Sequence, residues 1–242
     1  METSVQTFIN MCQWDTARFL IFSGNVFAPF LYYSHFFAII PSLIIGLVIF
    51  LRDKKSIINN ILFIIIIIFS LWVFFDLILW ATNKLEYTMF FWSVIILIEP
   101  LIYALCVYFV DVFITKEDIS LKKKFGIFLP LLPIAILLPT TLILTGFDLT
   151  NCDRAAIQGP VSTYYVYAIE IIYVLWILIF SFRKYLKATN EARKQILLMT
   201  VGIVLFLLSF SFGNIIESFT DNWTVGQFGL FGMPIFVAFL AY

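Results

Sequence analysis

The sequence predicts an all-α polytopic membrane protein, a bundle of seven transmembrane helices with the N-terminus outside and the C-terminus inside. Three observations predict it. Hydrophobic residues make up 62% of the chain and charged residues only 12%, whereas soluble domains are about half apolar and about a quarter charged. The apolar residues gather in seven runs near the roughly 20 residues that a helix needs to cross a bilayer. The basic residues concentrate in alternate connections between those runs.

The first 34 residues form an extracytoplasmic N-terminal segment. They lack the basic start of a signal peptide, and Glu2 is acidic where a positive charge is expected. Phe8 to Phe22 mixes Phe, Ile, Trp and Leu with Gln, Asp and Arg. That mixture suits a segment lying at the interface over the outer mouth of the bundle.

Residues 35–242 form the bundle. The first span is expected at His35–Leu51, the second at Ile61–Trp80 and the third at Met89–Ile114. The fourth is expected at Phe125–Thr145, bent by Pro130, Pro133 and Pro139. The fifth is expected at Thr163–Phe182 and the sixth at Ile196–Ile216. The seventh begins near Phe228, and Gly226, Gly229 and Gly232 allow close approach of a neighbouring helix there. It offers only about 15 apolar residues and no closing basic cluster, so a cytoplasmic part is expected beyond Tyr242.

Orientation follows from Lys and Arg. Arg52, Lys54 and Lys55 follow the first span. Lys116, Lys122, Lys123 and Lys124 follow the third. Arg183, Lys184, Lys187, Arg193 and Lys194 follow the fifth. These twelve of the fifteen basic residues fall on one side, and only Arg18, Lys84 and Arg154 fall on the other. Cytoplasmic loops carry the positive excess, which sets the N-terminus outside.

Ionisable groups inside spans are costly and are functional candidates. Four stand out, namely Asp76, Glu99, Glu170 and Glu217. Glu99 lies about 15 Å into the third span, Glu170 about 10 Å below the outer edge of the fifth, Asp76 about 6 Å below that of the second, and Glu217 at the outer end of the sixth. Helical spacing aligns Trp72, Asp76 and Trp80 on one face, and Glu99 with Tyr103 on another, with Trp92 and Cys106 one step further along. Tyr167, Glu170 and Tyr173 align on the fifth span, and Asn214 with Glu217 on the sixth. One reading turns these faces into an outward-open cavity. The other has the carboxyls only hold helices together through hydrogen bonds.

No Lys or Arg lies within a span, and burial without a cation disfavours the ionised form. A cationic small ligand entering from outside, stacked on the tryptophans, would supply the missing charge. Alternatively the stimulus is the proton. Pro100 removes a helical hydrogen bond next to Glu99 and is a hinge candidate. Cys12 and Cys152 both fall outside and are candidates for a disulfide. His35 is a lone histidine at the outer end of the first span and reads as an interfacial hydrogen-bonder.

The function classes left out are clear. No Lys on the seventh span means no retinal Schiff base, and no HExxH, GxSxG or P-loop pattern occurs. No cofactor, metal, nucleic-acid partner or enzymatic activity is expected of these residues. The expected partners are the lipid bilayer and a small ligand or proton.

Several short runs resemble a known family. They are Gly159-Pro160, Tyr164-Tyr165-Val166-Tyr167, Trp176, Arg183-Lys184-Tyr185, Lys194-Gln195-Ile196, Gly213-Asn214-Ile215-Ile216, Phe219-Thr220 and Gly226-Gln227-Phe228-Gly229. Ser70-Leu71-Trp72 and Glu99-Pro100 extend the likeness toward the N-terminus. Together they resemble the N-terminal seven-helix sensor region of bacterial histidine kinases. The resemblance implies a multi-pass module of the bacterial inner (plasma) membrane whose last helix leads into cytoplasmic signalling domains, with kinase activity in the part after Tyr242. It also implies a homodimer, and it transfers no catalytic residue. A small-solute or ion transporter and a non-catalytic membrane scaffold are the alternatives. A transporter is expected to show repeats and broken helices around a midplane site, and Glu99-Pro100 is the one hint of that.

Overall fold

A computed structural model describes residues 29–82, 84–148, 155–220 and 229–241. Helix α1 spans Pro29–Arg52, α2 Ile57–Ala81 and α3 Leu85–Thr115. Short pieces follow: α4 at Leu121–Phe128, a 3-10 turn at Leu129–Leu131 and α5 at Leu132–Leu137. An antiparallel hairpin pairs β1, Leu144–Asp148, with β2, Ala155–Gln158. A π turn at Val161–Val166 opens α6, Tyr167–Lys187, followed by α7 at Asn190–Thr220 and α8 at Gly232–Ala241.

Five helical stretches are long and apolar enough to cross a membrane: those of α1, α2, α3, the π turn with α6, and α7. Their large apolar side chains face outward as well as inward, as Phe37, Val48, Phe90, Ile172 and Phe182 show. Water would not tolerate such a surface, and lipid does. The chain is therefore a multi-pass helical membrane protein.

Local chemistry sets the ends of these helices. Ser56 caps α2 by accepting a hydrogen bond from the Asn59 backbone N–H. Lys116 ends α3 in the left-handed region at φ 60°, where its ammonium lies 4.1 Å from the centre of the Phe113 ring. Burial lowers the Lys116 ammonium below the usual lysine range.

Sequential helices pack as neighbours, α1 on α2 and α2 on α3. Then α3 packs on α6, α6 on α7, α7 on α8, and α8 returns to α1. The result is a closed ring in which α3 is the most deeply buried span. The core runs through Phe69, Ile102, Tyr103, Phe109, Phe206, Phe210 and Phe236. Edge-on and stacked ring contacts at 5.5–6.1 Å join Phe69, Phe206, Phe210 and Phe236.

Close approach of α8 to α7 is permitted by glycine. A Cβ on Gly229 would stand 2.7 Å from the Ser209 carbonyl, and one on Gly232 would meet the Ser209 hydroxyl and the Phe206 backbone. Two of the three glycines expected to serve this purpose do so; Gly226 lies outside the described residues.

The fourth predicted span departs from expectation. Instead of one bent helix over Phe125–Thr145, the helical path ends at Leu137 and the chain turns into the hairpin. Pro130 and Pro133 each lack a backbone N–H, and each stands at the start of a short helical piece. Pro139 then excludes the next turn. Thr145, expected at the helix end, sits at an irregularity in the strand register and donates to the Ile157 carbonyl at 3.2 Å. The all-α reading thus holds except for this two-stranded ribbon.

Tyrosines repair the interrupted segment. The Tyr173 hydroxyl donates to the Ile127 carbonyl at 2.6 Å, and Tyr165 donates to the Pro130 carbonyl at 3.1 Å. In a bilayer such carbonyls must find partners inside the protein.

Candidate functional site

The structure brings together two of the predicted acids from different helices. Glu99 on α3 and Glu170 on α6 interact directly. Tyr103, one turn after Glu99, feels both carboxyls, and Ser211 of α7 adjoins both Glu170 and the Tyr103 hydroxyl. Tyr103 also donates to the Leu207 carbonyl on α7 at 2.9 Å. Three spans therefore meet at one polar point.

The cluster is closed. Glu99 is 8% exposed and Glu170 1%. Neither carboxyl oxygen of Glu170 makes a hydrogen bond of good geometry. A buried, poorly satisfied carboxyl is costly, so this point is expensive to maintain. The helical spacing of Glu99 and Tyr103 read from the sequence is the one that forms the cluster.

Trp72 packs against it through Phe210. The Trp72 and Phe210 rings are 4.6 Å apart, and Phe210 lies 6.5 Å from Tyr103. Tyr173 is turned away instead, toward the interrupted segment. Tyr167 and Trp80 are partly exposed on α6 and α2. Pro100 is buried beside Glu99, and α3 runs through it without a break in its helical assignment.

A second polar pair joins α1 to α2. The His35 imidazole Nε2 lies 2.9 Å from the Asp76 carboxyl. His35 is buried and Asp76 is 22% exposed. Sequence reasoning left Asp76 without a basic partner, because its partner is a histidine on another helix.

A third cluster lies at the opposite end of α3 and was missed. Asp111 is buried on α3 and pairs with Lys123 of α4. The Lys123 ammonium also lies 5.5 Å from the Trp176 ring centre and 5.2 Å from that of Phe180, both on α6. Beside it, Asp118 accepts from Tyr108 at 2.7 Å and from Lys124 at 2.6 Å. The Lys124 ammonium, then the Tyr108 hydroxyl, hold the Asp118 carboxyl below the usual carboxylate range. Asp118 in turn raises Lys124. Asp111 lay within the predicted third span, and the rule applied to the other four acids would have found it.

Among the described residues no group of His, Cys, Asp and Glu could hold a metal ion. Cys106 is a buried free thiol. The side chains of Asn214 and Glu217, and the proposed Cys12–Cys152 bridge, lie outside the described residues.

No protein-family model, curated protein or solved structure matches the chain.

Proposed function

We propose that this chain is the membrane-embedded sensory module of a bacterial two-component histidine kinase, with seven spans and the N-terminus outside. Sequence resemblance supports the kinase assignment. The observation that carries the sensory reading is the Glu99–Glu170 pair, a buried acid–acid contact at the junction of α3, α6 and α7. Two carboxyls side by side in a dry site repel when both are ionised. Arrival of a proton or a small cation changes that repulsion, and with it the packing of three helices. A purely structural contact would gain nothing from such a cost.

Stability in lipid nanodiscs, followed against pH, tests this. The wild type is expected to titrate, and Glu99→Gln and Glu170→Gln each to remove that titration. A pH profile unchanged in both variants would sink the reading. The coding sequence past Tyr242 gives an independent check: a kinase core is expected there, and a stop codon refutes the kinase assignment.

One observation favours a transporter. The fourth segment is interrupted by prolines and a hairpin, and broken segments mark transporter sites. Against it, the carboxyls lie on α3 and α6, and α3 is unbroken at Pro100. Solute or ion flux in proteoliposomes that depends on Glu99 would favour transport over sensing.

A further inference from the structure

At the basic end of the bundle an open groove of about 590 Å³ is lined by Leu121, Lys122, Lys124, Phe125 and Phe128. From its sequence this segment reads as a basic turn entering an apolar helix, and the structure divides it by face. Ile127, Leu131 and Ile134 turn into the core. Leu121, Phe125, Leu129, Leu132 and Ile136 do not, and they form a continuous exposed stripe at helical spacing, with Leu121 82% exposed. The groove wall is thus almost wholly apolar, with Lys122 and Lys124 among the residues that border it.

We infer that this groove binds one anionic phospholipid from the surrounding leaflet, its phosphate at Lys122 and an acyl chain along the stripe.

The charges are arranged for it. Lys123 is turned inward to Asp111, and Lys124 is held by Asp118. Lys122 is exposed and makes no ion pair among the described residues. Over residues 111–124, Lys116, Lys122, Lys123 and Lys124 face Asp111, Glu117 and Asp118, which leaves a net positive charge. The first turn of α4 has no acidic residue, so the positive end of its dipole adds to the lysines. Depth agrees as well. The 31 residues of α3 make a helix of about 46 Å, longer than the roughly 30 Å hydrocarbon layer. The basic end therefore reaches headgroup level. A zwitterionic lipid would fill the apolar stripe equally well, so the lysines select for net negative charge.

Native mass spectrometry of the whole chain, released from nanodiscs of mixed phosphatidylglycerol and phosphatidylcholine, tests the inference. The wild type is expected to retain one phosphatidylglycerol. Lys122→Gln breaks no ion pair and is expected to weaken that retention about fivefold, the worth of one lysine at an anionic headgroup. Lys187→Gln, on a different basic loop, is expected to leave it unchanged. Equal retention of the two lipids by the wild type overturns the inference. So does retention that survives Lys122→Gln, or that falls equally in Lys187→Gln, which would mean diffuse attraction without a site. Dimers joined through this face, detected as a dimer that Phe125→Glu dissociates, would also overturn it.

Discussion

The Asp111 carboxylate is buried on α3 while its partner, the Lys123 ammonium, stays 41% exposed at the rim. An ion in such a place is tolerated only while its counter-ion remains. Removing one partner of a buried pair costs about 3–5 kcal/mol, whereas replacing both with apolar groups is often neutral. The exposure of Lys123 moves this pair below that range. Lys123→Met is therefore expected to destabilise the protein by about 2–3 kcal/mol. Asp111→Asn should cost less, because a neutral amide is cheaper to bury. The double variant should recover most of the loss from Lys123→Met, and thermal unfolding in one detergent across the four proteins measures the coupling. Additive losses would show that Lys123 acts through its packing on Trp176 and Phe180 alone. Asp111 was legible by the same rule as the other acids, since it lies inside the predicted third span, Met89–Ile114. His35 and Asp76 stand 41 positions apart, and no local pattern could have joined them. Glu99 and Glu170 were legible, because each was placed by depth from its own end of a span and both depths fell in the same half of the bundle.

At the scale of elements, the five long spans were legible because a bilayer demands long apolar runs and little else satisfies that demand. The fourth was not. Hydropathy counts apolar atoms but not backbone donors, and Pro130, Pro133 and Pro139 remove donors without lowering hydropathy much. What closes the hairpin is a close contact at Gly159. Its N–H donates to the Ile143 carbonyl at 2.7 Å, and the Ser162 hydroxyl, one turn on, donates to the same carbonyl at 2.7 Å. A Cβ on Gly159 would press on the Leu142 carbonyl group, with the Thr141 oxygen at 2.7 Å. These are backbone atoms and cannot swing aside. Gly126 of α4 is the opposite case, since a Cβ there meets nothing within 4 Å. Gly159→Ala is expected to destabilise by about 1–3 kcal/mol through overpacking. Gly126→Ala should stabilise by up to about 1 kcal/mol from helix propensity. Equilibrium unfolding of the two variants against wild type reads both signs, and a Gly159→Ala variant as stable as wild type would refute the assignment of backbone contact at Gly159.

For the whole molecule, the basic residues cluster in and beside the short α1–α2, α3–α4 and α6–α7 connections. Short connections join antiparallel neighbours, and Lys123 reaching the rings of Trp176 and Phe180 brings the α3–α4 connection beside the second half of α6. The three basic loops therefore share one end of the bundle, and Lys84, between α2 and α3, marks the other. Carrying so many cations across the bilayer is disfavoured during insertion, which argues that their end stays in the cytoplasm. Single cysteines decide it. In a background with Cys12, Cys106 and Cys152 changed to Ser, Lys84→Cys is expected to react with a membrane-impermeant maleimide on intact cells. Lys55→Cys and Lys187→Cys should react only after permeabilisation. The reverse pattern would invert the proposed orientation. Lys55 and Lys187 labelling from opposite sides would mean that the segment between α3 and α6 does not return the chain across the membrane. That outcome matters because its helical path is only 17 residues, Leu121–Leu137, about 25 Å long. Agreement of the Lys55 and Lys187 variants would show that this short helix, with its hairpin, completes a crossing that its length alone does not guarantee.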